Sequence, residues 1–168
     1  MTSIRPAIDR DLPEILEIVN DAILNSTAWY DERPRNLEEQ RAWLHEKRAD
    51  GWPVFTAVDD EDDSVLGFAT FGTFRARPAY RHTAEHSVYV GRHARGKGAG
   101  RLLTEALIDE ATRRGLHVLI GGVDSANEGS IAFHETMGFT EVGRLPQIGY
   151  KFDTWLTLVF MQRILGDA

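Results

Sequence analysis

The sequence predicts one α/β domain over residues 1–168, with a mixed central sheet flanked by helices. Three observations carry that expectation. Strand-like and helix-like runs follow one another in the order β-α-α-β-β-β-α-β-α-β-β, which mixes parallel crossovers with antiparallel hairpins. The strand-like run ending at Val90 passes through a glycine-rich loop directly into a helix-like run. The chain of 168 residues, 42% hydrophobic and 27% charged, suits one packed core, and no linker divides it.

The elements follow in order. Residues 3–8 read as a short strand. Asp11-Leu12-Pro13-Glu14 carries helix-start chemistry, with Asp11 as N-cap, Pro in the first turn and Glu three residues after the cap. Leu12, Ile15, Leu16, Val19, Ala22 and Ile23 then recur at helical spacing. Residues 25–35 are polar and turn-rich. A second helix is expected over 37–48, with Leu37 and Leu44 on one side. Strands at 54–58 and 65–74 flank the acidic run Asp59 to Asp63, which reads as a solvated hairpin turn. Residues 86–90 form the next strand. The helix over 99–114 presents Leu103, Ala106, Leu107 and Ala111 on one stripe, with Asp109/Arg113 and Glu110/Arg114 as i,i+4 pairs and Gly115 as its stop. Val118-Leu119-Ile120 reads as a buried strand, 127–137 as a short helix ended by Gly138, and 139–144 and 153–163 as closing strands.

Composition excludes several functions. The net charge is −7, and five of the acids sit in the 59–63 run. An acidic chain argues against a nucleic-acid partner, which needs a basic face. Without cysteine, thiolate metal sites and cysteine nucleophiles are ruled out. The start lacks a signal peptide's apolar segment and no apolar run reaches bilayer length, so a cytoplasmic location without membrane contact is expected. Against this acidity, the stretch from His86 to Thr104 contains no Asp or Glu but holds Arg92, Arg95, Lys97 and Arg101. It is a local cationic segment suited to one compact anion.

Within it, Gly96, Gly98 and Gly100 alternate with cationic residues at a helix start. Glycines let successive N–H groups converge, and the helix terminus adds unpaired donors and partial positive charge. The dinucleotide fingerprint fails because Arg101 stands where its last glycine belongs. The P-loop pattern fails at Gly98, where a Mg²⁺-binding hydroxyl is required. The pattern Arg95-x-x-Gly98-x-Gly100 resembles the pyrophosphate loop of the GNAT superfamily of N-acetyltransferases. Asn127-x-x-Ser130-Ile131-x-x-His134-Glu135-x-x-Gly138-Phe139 resembles that superfamily's second cofactor segment. The spacing between them and the element order match over nearly the whole chain.

Further segments resemble the phosphinothricin and methionine sulfoximine N-acetyltransferase family. These are Asn25 to Tyr30, Phe74 to Tyr80, Thr83 to Val90, and Pro146 to Trp155. The resemblance implies an acetyl-CoA co-substrate, a small amino-acid-like acceptor acetylated on its α-amino group, and a homodimer. It implies acetyl-CoA contacts at Val88, Tyr89, Val90, Arg95, Gly96, Lys97, Gly98, Ala99, Gly100, Arg101, Asn127 and Ser130. It implies substrate contacts at Tyr30, Arg75, Ala76, Arg77, Tyr80, Glu85, His86 and Ser87.

An ammonium group is not nucleophilic, so acetyl transfer needs a proton acceptor. Glu85 and His134 are the catalytic candidates, and the sequence does not assign their roles. Strand alternation puts Glu85, Ser87 and Tyr89 on one face and His86, Val88 and Val90 on the other. Arg75 and Arg77 are expected to share a face at a strand end, where guanidinium forks suit carboxylate or phosphinate oxygens. The pattern His82-x-x-Glu85-His86 mimics a metalloprotease motif. In a strand, however, positions i and i+4 stand about 13 Å apart and cannot share an ion, so no metal is expected. The rival readings are a GNAT enzyme acting on another amine (a peptide N-terminus, a polyamine or another amino acid) and a non-catalytic acyl-CoA sensor.

Overall fold

In the computed structural model, which describes residues 1–166, seven strands form a single sheet in the order β1-β2-β3-β4-β5-β7-β6. The strands are β1 (Thr2–Pro6), β2 (Val54–Asp59), β3 (Val65–Thr73), β4 (Thr83–Val90), β5 (Val118–Asp124), β6 (Thr140–Lys151) and β7 (Thr154–Ile164). The helices are α1 (Leu12–Asn25), α2 (Leu37–Ala49), α3 (Ala99–Arg113) and α4 (Glu128–Thr136). Only β4 and β5 run parallel, and α3 is the crossover that joins them.

The sheet divides two apolar clusters. Leu12, Ile15, Ile18, Val19 and Ile23 of α1 and Leu44 of α2 pack with Phe68 on one face. Leu103, Leu107 and Ala111 of α3 pack with Phe71, Leu119, Phe139 and Met161 on the other. The expected helical stripes are therefore largely the buried faces: Leu16, Ala22 and Ala106 are half-buried, and Leu37 is exposed while Leu44 is buried.

Several local expectations change. Asp11 occupies the N-cap of α1 but makes no capping bond. Its buried carboxylate instead takes both guanidinium nitrogens of Arg5, at 2.7 and 2.8 Å, and the preceding Ile8 N–H at 2.9 Å. Glu14 does not reach back to the cap; its Oε2 accepts the Val65 N–H at 2.8 Å. Arg113 pairs with Glu110 rather than Asp109. The 59–63 run is the expected β2–β3 turn, and its Asp63 is held by Arg5 and Arg10.

Strand β4 starts at Thr83, three residues before the expected start, and β5 continues through Gly121-Gly122 to Asp124. Pairing to β7 holds those glycines extended. Strand β6 is longer than expected, β7 is shifted by one residue, and the two close through Phe152 and Asp153, both at positive φ, as a two-residue hairpin turn requires.

Candidate active site

The sheet splits at its centre. Strands β4 and β5 pair only from Thr83, Ala84 and Glu85 to Val118, Leu119 and Ile120. Beyond Glu85, β4 stays bonded to β3 and β5 stays bonded to β7, so the two separate. A cleft of about 1000 Å³ opens between them. Its walls include His86 to Val90, Gly121 to Asp124, the start of α3, and Asn127, Ser130 and His134. The inner edge of β4 carries alternate backbone N–H and C=O groups that no neighbouring strand uses.

One wall is an anion cradle. Gly96 and Gly98 sit at φ +75° and +89°, a conformation that disfavours side chains. Gly98 caps α3 without any side-chain hydrogen bond, and no acid occupies the first turn. The first intrahelical bond comes from Leu102 N–H to Gly98 C=O, which leaves the preceding N–H groups free. A methyl on Gly100 would meet Val90 at 3.5 Å and Phe133 at 3.8 Å, so the fold itself would admit alanine there. The space beside Gly100 is cleft, which fits a ligand that approaches the backbone closely.

Arg95 and Arg101 line the cleft, whereas Lys97 lies outside its lining. Arg92 is committed to Asp21 of α1 at 2.7 Å. Asn127 caps α4, its Oδ1 accepting the Ser130 N–H at 3.1 Å.

Behind the cleft the structure pairs two histidines. His86 and His134 are both buried, with Nε2 to Nε2 at 3.0 Å. His134 Nδ1 lies 2.7 Å from the Ser130 carbonyl, which can only accept, so Nδ1 carries the proton. His134 Nε2 must then accept from His86 Nε2–H, and His86 Nδ1 finds no partner. Burial pushes both imidazoles below the usual histidine range, and for His86 the neighbouring His134 adds to the shift.

Gly121 makes room for the pair. A Cβ there would stand 2.7 Å from His86 Cε1 and 3.4 Å from His134 Nε2. The sequence expectation treats His86 as a substrate contact; the structure turns its ring away into this pair. Both His134 nitrogens are engaged by protein, which removes them from direct contact with an acceptor amine.

The other face of the split sheet carries the remaining candidates. Glu85 has an exposed side chain on the Tyr89 face of β4. Partial desolvation by the surrounding protein nonetheless raises its pKa, with Arg75 and Lys47 opposing the rise. Lys47 reaches this region from α2, its Nζ donating to the Phe71 carbonyl at 3.3 Å. Tyr89 stacks on Phe68 and Trp29 at 5.5 and 4.6 Å.

Strand β3 ends at Thr73, so Arg75, Ala76 and Arg77 lie in an irregular turn and not on alternate positions of a strand end. Pro78, which begins a 3-10 turn there, cannot extend the ladder. All three residues are exposed, and Tyr80 packs edge-on against Phe74.

Tyr30 lies in the loop after α1, where a Cβ on Gly149 would touch its ring at 2.8 Å. That loop is tied to β6 by Lys151, whose buried Nζ donates to the Ser26 and Trp29 carbonyls at 2.8 and 2.6 Å. The structure thus gathers the cofactor candidates other than Lys97, with Ser87 and the histidine pair, into the cleft, and leaves Lys97, Glu85, Arg75, Ala76, Arg77, Tyr80 and Tyr30 outside its lining.

Lys47, Gly121, Asp124 and Lys151 escaped sequence reading. Lys47, Gly121 and Lys151 act through neighbours remote in sequence, and Asp124 stands out by its burial alone; the only local hint was a Gly-Gly pair inside a strand. Among the described residues no group of three or more His, Asp or Glu side chains is arranged to hold a metal.

The family model described as Acetyltransferase (GNAT) family matches residues 14–139. The chain belongs to this family. It is 45% identical over 160 residues to the L-methionine sulfoximine/L-methionine sulfone acetyltransferase of Pseudomonas aeruginosa, covering 95% of this chain and 92% of that protein. The crystal structure of ribosomal-protein-alanine N-acetyltransferase from Brucella melitensis superposes with a TM-score of 0.93 at 45% identity, covering 97% of this chain and 99% of that one. The crystal structure of a GNAT superfamily phosphinothricin acetyltransferase from Sinorhizobium meliloti, in complex with AcCoA, gives 0.93 at 36% identity, covering 98% and 89%. The α/β acetyltransferase fold expected from the sequence is the fold observed.

Proposed function

We propose that residues 1–168 act as one acetyl-CoA-dependent N-acetyltransferase. Acetyl passes directly to the α-amino group of a small amino-acid-like substrate of the methionine sulfoximine, methionine sulfone or phosphinothricin kind. The observation that carries this reading is the split between β4 and β5. It joins a backbone anion cradle to a face of titratable side chains through one opening.

The cradle suits the pyrophosphate of acetyl-CoA. The glycines at 96, 98 and 100, the free N–H groups of residues 98–101, and Arg95 and Arg101 offer donors and positive charge without blocking side chains. The free edge of β4 at Val88, Tyr89 and Val90 suits the amide-bearing arm, and Asn127 and Ser130 border it. When bound, acetyl-CoA supplies an activated thioester carbonyl.

The chain's own groups do the rest. Glu85 accepts the proton of the incoming ammonium, directly or through water, and its raised pKa makes it a stronger base than a free carboxylate. A backbone N–H near Val90 on the opened edge faces the oxyanion. The histidine pair stays neutral and holds the α4 wall in position. Arg75 and Arg77 present guanidinium groups to the acceptor's acidic oxygens, with Tyr30, Ala76, Tyr80 and Ser87 around them. A sequential kinetic pattern is expected.

A CoA-release assay tests the reading. Its acceptors are phosphinothricin, methionine sulfoximine, methionine sulfone, the common amino acids, spermidine and an alanyl peptide. The first three are expected to outrun the others; release with the peptide or the polyamine alone would replace the substrate class, and release with none would leave the sensor reading.

A homodimer in the cytoplasm completes the proposal. The support for a second copy is the apolar surface of the β6–β7 hairpin, where Ile148, Tyr150, Phe152 and Trp155 are all half exposed or more. No helix among the described residues is long and apolar enough to cross a membrane.

A further inference from the structure

Asp124 has no role in the account so far. It stands at the end of β5 and is only 4% exposed, yet it is among the residues that line the cleft. Its Oδ2 has no hydrogen-bond partner, and no Lys, Arg or His among the described residues forms an ion pair with it. A buried carboxylate without a partner is costly, and an unsatisfied group at a cleft wall is where a ligand regains that cost.

Strand alternation puts Asp124 on the face of Gly122, opposite the face where Gly121 cradles the histidines. That is also the face of Glu85, whose Oε1 would lie 3.8 Å from a methyl on Gly122. Asp124 follows two residues on, roughly 6–7 Å along the strand. Tyr30 faces the same space: burial, with the Asp124 charge adding to it, pushes its phenol up to about 12.

The two carboxylates differ in company. Glu85 already feels Arg75 and Lys47, which would repel an ammonium. Asp124 is the more deeply buried of the two, and no cation among the described residues is ion-paired with it.

We infer that Asp124 is the ammonium seat of the acceptor site: it binds the substrate's charged α-amino group, while the arginines hold its acidic oxygens. This rests on the proposed amino-acid-like substrate class. It divides the work between two carboxylates: Asp124 selects and orients the amine, and Glu85, kept out of a permanent pair with it, takes the proton.

The test compares two ligands by titration calorimetry on the full chain with CoA present, so that no turnover occurs. One is L-methionine sulfone and the other is its deamino counterpart, 4-(methylsulfonyl)butanoate. The wild type is expected to prefer the amino form by about tenfold or more, the scale of a hydrogen bond to a charged group. Asp124→Asn keeps the shape and is expected to lose most of that preference, leaving affinity for the deamino ligand and for CoA within about twofold.

Retention of the full preference overturns the inference. So does equal weakening toward both ligands, which would mean that Asp124 only steadies the start of α4. Asp124→Ala supplies the same comparison should the Asn variant fail to fold. If the wild type binds the deamino ligand as tightly as the amino one, the ammonium seat is wrong although the substrate class stands. If the wild type binds neither, the substrate class falls and the inference falls with it.

Discussion

On the α3 side of the cleft, the groups at the opening are the unpaired backbone N–H groups of the consecutive residues 98–101. On the opposite side His86, Asp124 and His134 line the opening and Glu85 stands on the neighbouring face of β4, side chains that only the tertiary fold brings together. The first wall depends on φ angles and on the absence of Cβ atoms. The second depends on burial and on partners: Glu85 is tuned by Arg75 and Lys47, and the histidines satisfy each other above a glycine. A backbone site tolerates many surroundings, so long as its glycines remain. A side-chain site changes whenever a neighbour changes.

That contrast can be broken most sharply at the proton acceptor. Glu85→Gln is expected to lower kcat by about 10²–10⁴-fold, the usual worth of a positioned base, with acetyl-CoA affinity intact. His134→Ala should cost kcat less, because both ring nitrogens already face protein partners. Steady-state kinetics on the two variants decide it, and a larger loss at His134 would reverse the assignment. The raised pKa of Glu85 adds a signature: activity should fall as pH drops through a value above that of a free carboxylate, and Glu85→Gln should abolish that limb.

The cradle is probed by Gly98→Ala. A side chain at φ +89° costs about 1–2 kcal/mol of backbone strain and shifts the donors, so acetyl-CoA affinity should drop roughly tenfold while methionine sulfone binding holds. Gly100→Ala separates fold from function. The fold leaves space for the methyl, so Tm should stay unchanged while cofactor affinity falls.

Gly121→Ala tests the other wall. Its methyl would collide with the His86 ring, and displacing a packed pair costs about 1–3 kcal/mol, read as a lowered Tm.

The smallest effect is linkage. Both imidazoles titrate below the free value of 6.5, so under acid the unfolded chain binds protons that the folded chain refuses. Stability therefore rises with pH below 6.5 and is lost on acidification, by at most about 1.4 kcal/mol per pH unit for each group. His86→Leu should flatten that slope in denaturant titrations at pH 5–7.

Legibility followed the same division. The glycine loop and the Asn127 segment were readable because spacing in sequence is spacing in space along one loop or one helix turn. The reach of β5 was not: the expected strand stopped at Ile120, and only pairing with β7 holds Gly121 and Gly122 extended. The Asp11 cap was misread for a similar reason: Arg5 holds the carboxylate, and that contact arises from the β1–α1 packing. Arg75 and Arg77 lost their expected strand geometry to Pro78.

By itself the sequence determined the order of elements, the amphipathic helices and the anion cradle, because periodicity and glycine φ preferences act over a few residues. Only the tertiary structure decided where β4 and β5 part, which histidine nitrogens are free, and that Asp124 is a buried carboxylate facing the cleft. Those are properties of pairing and desolvation, set by atoms up to tens of residues away along the chain.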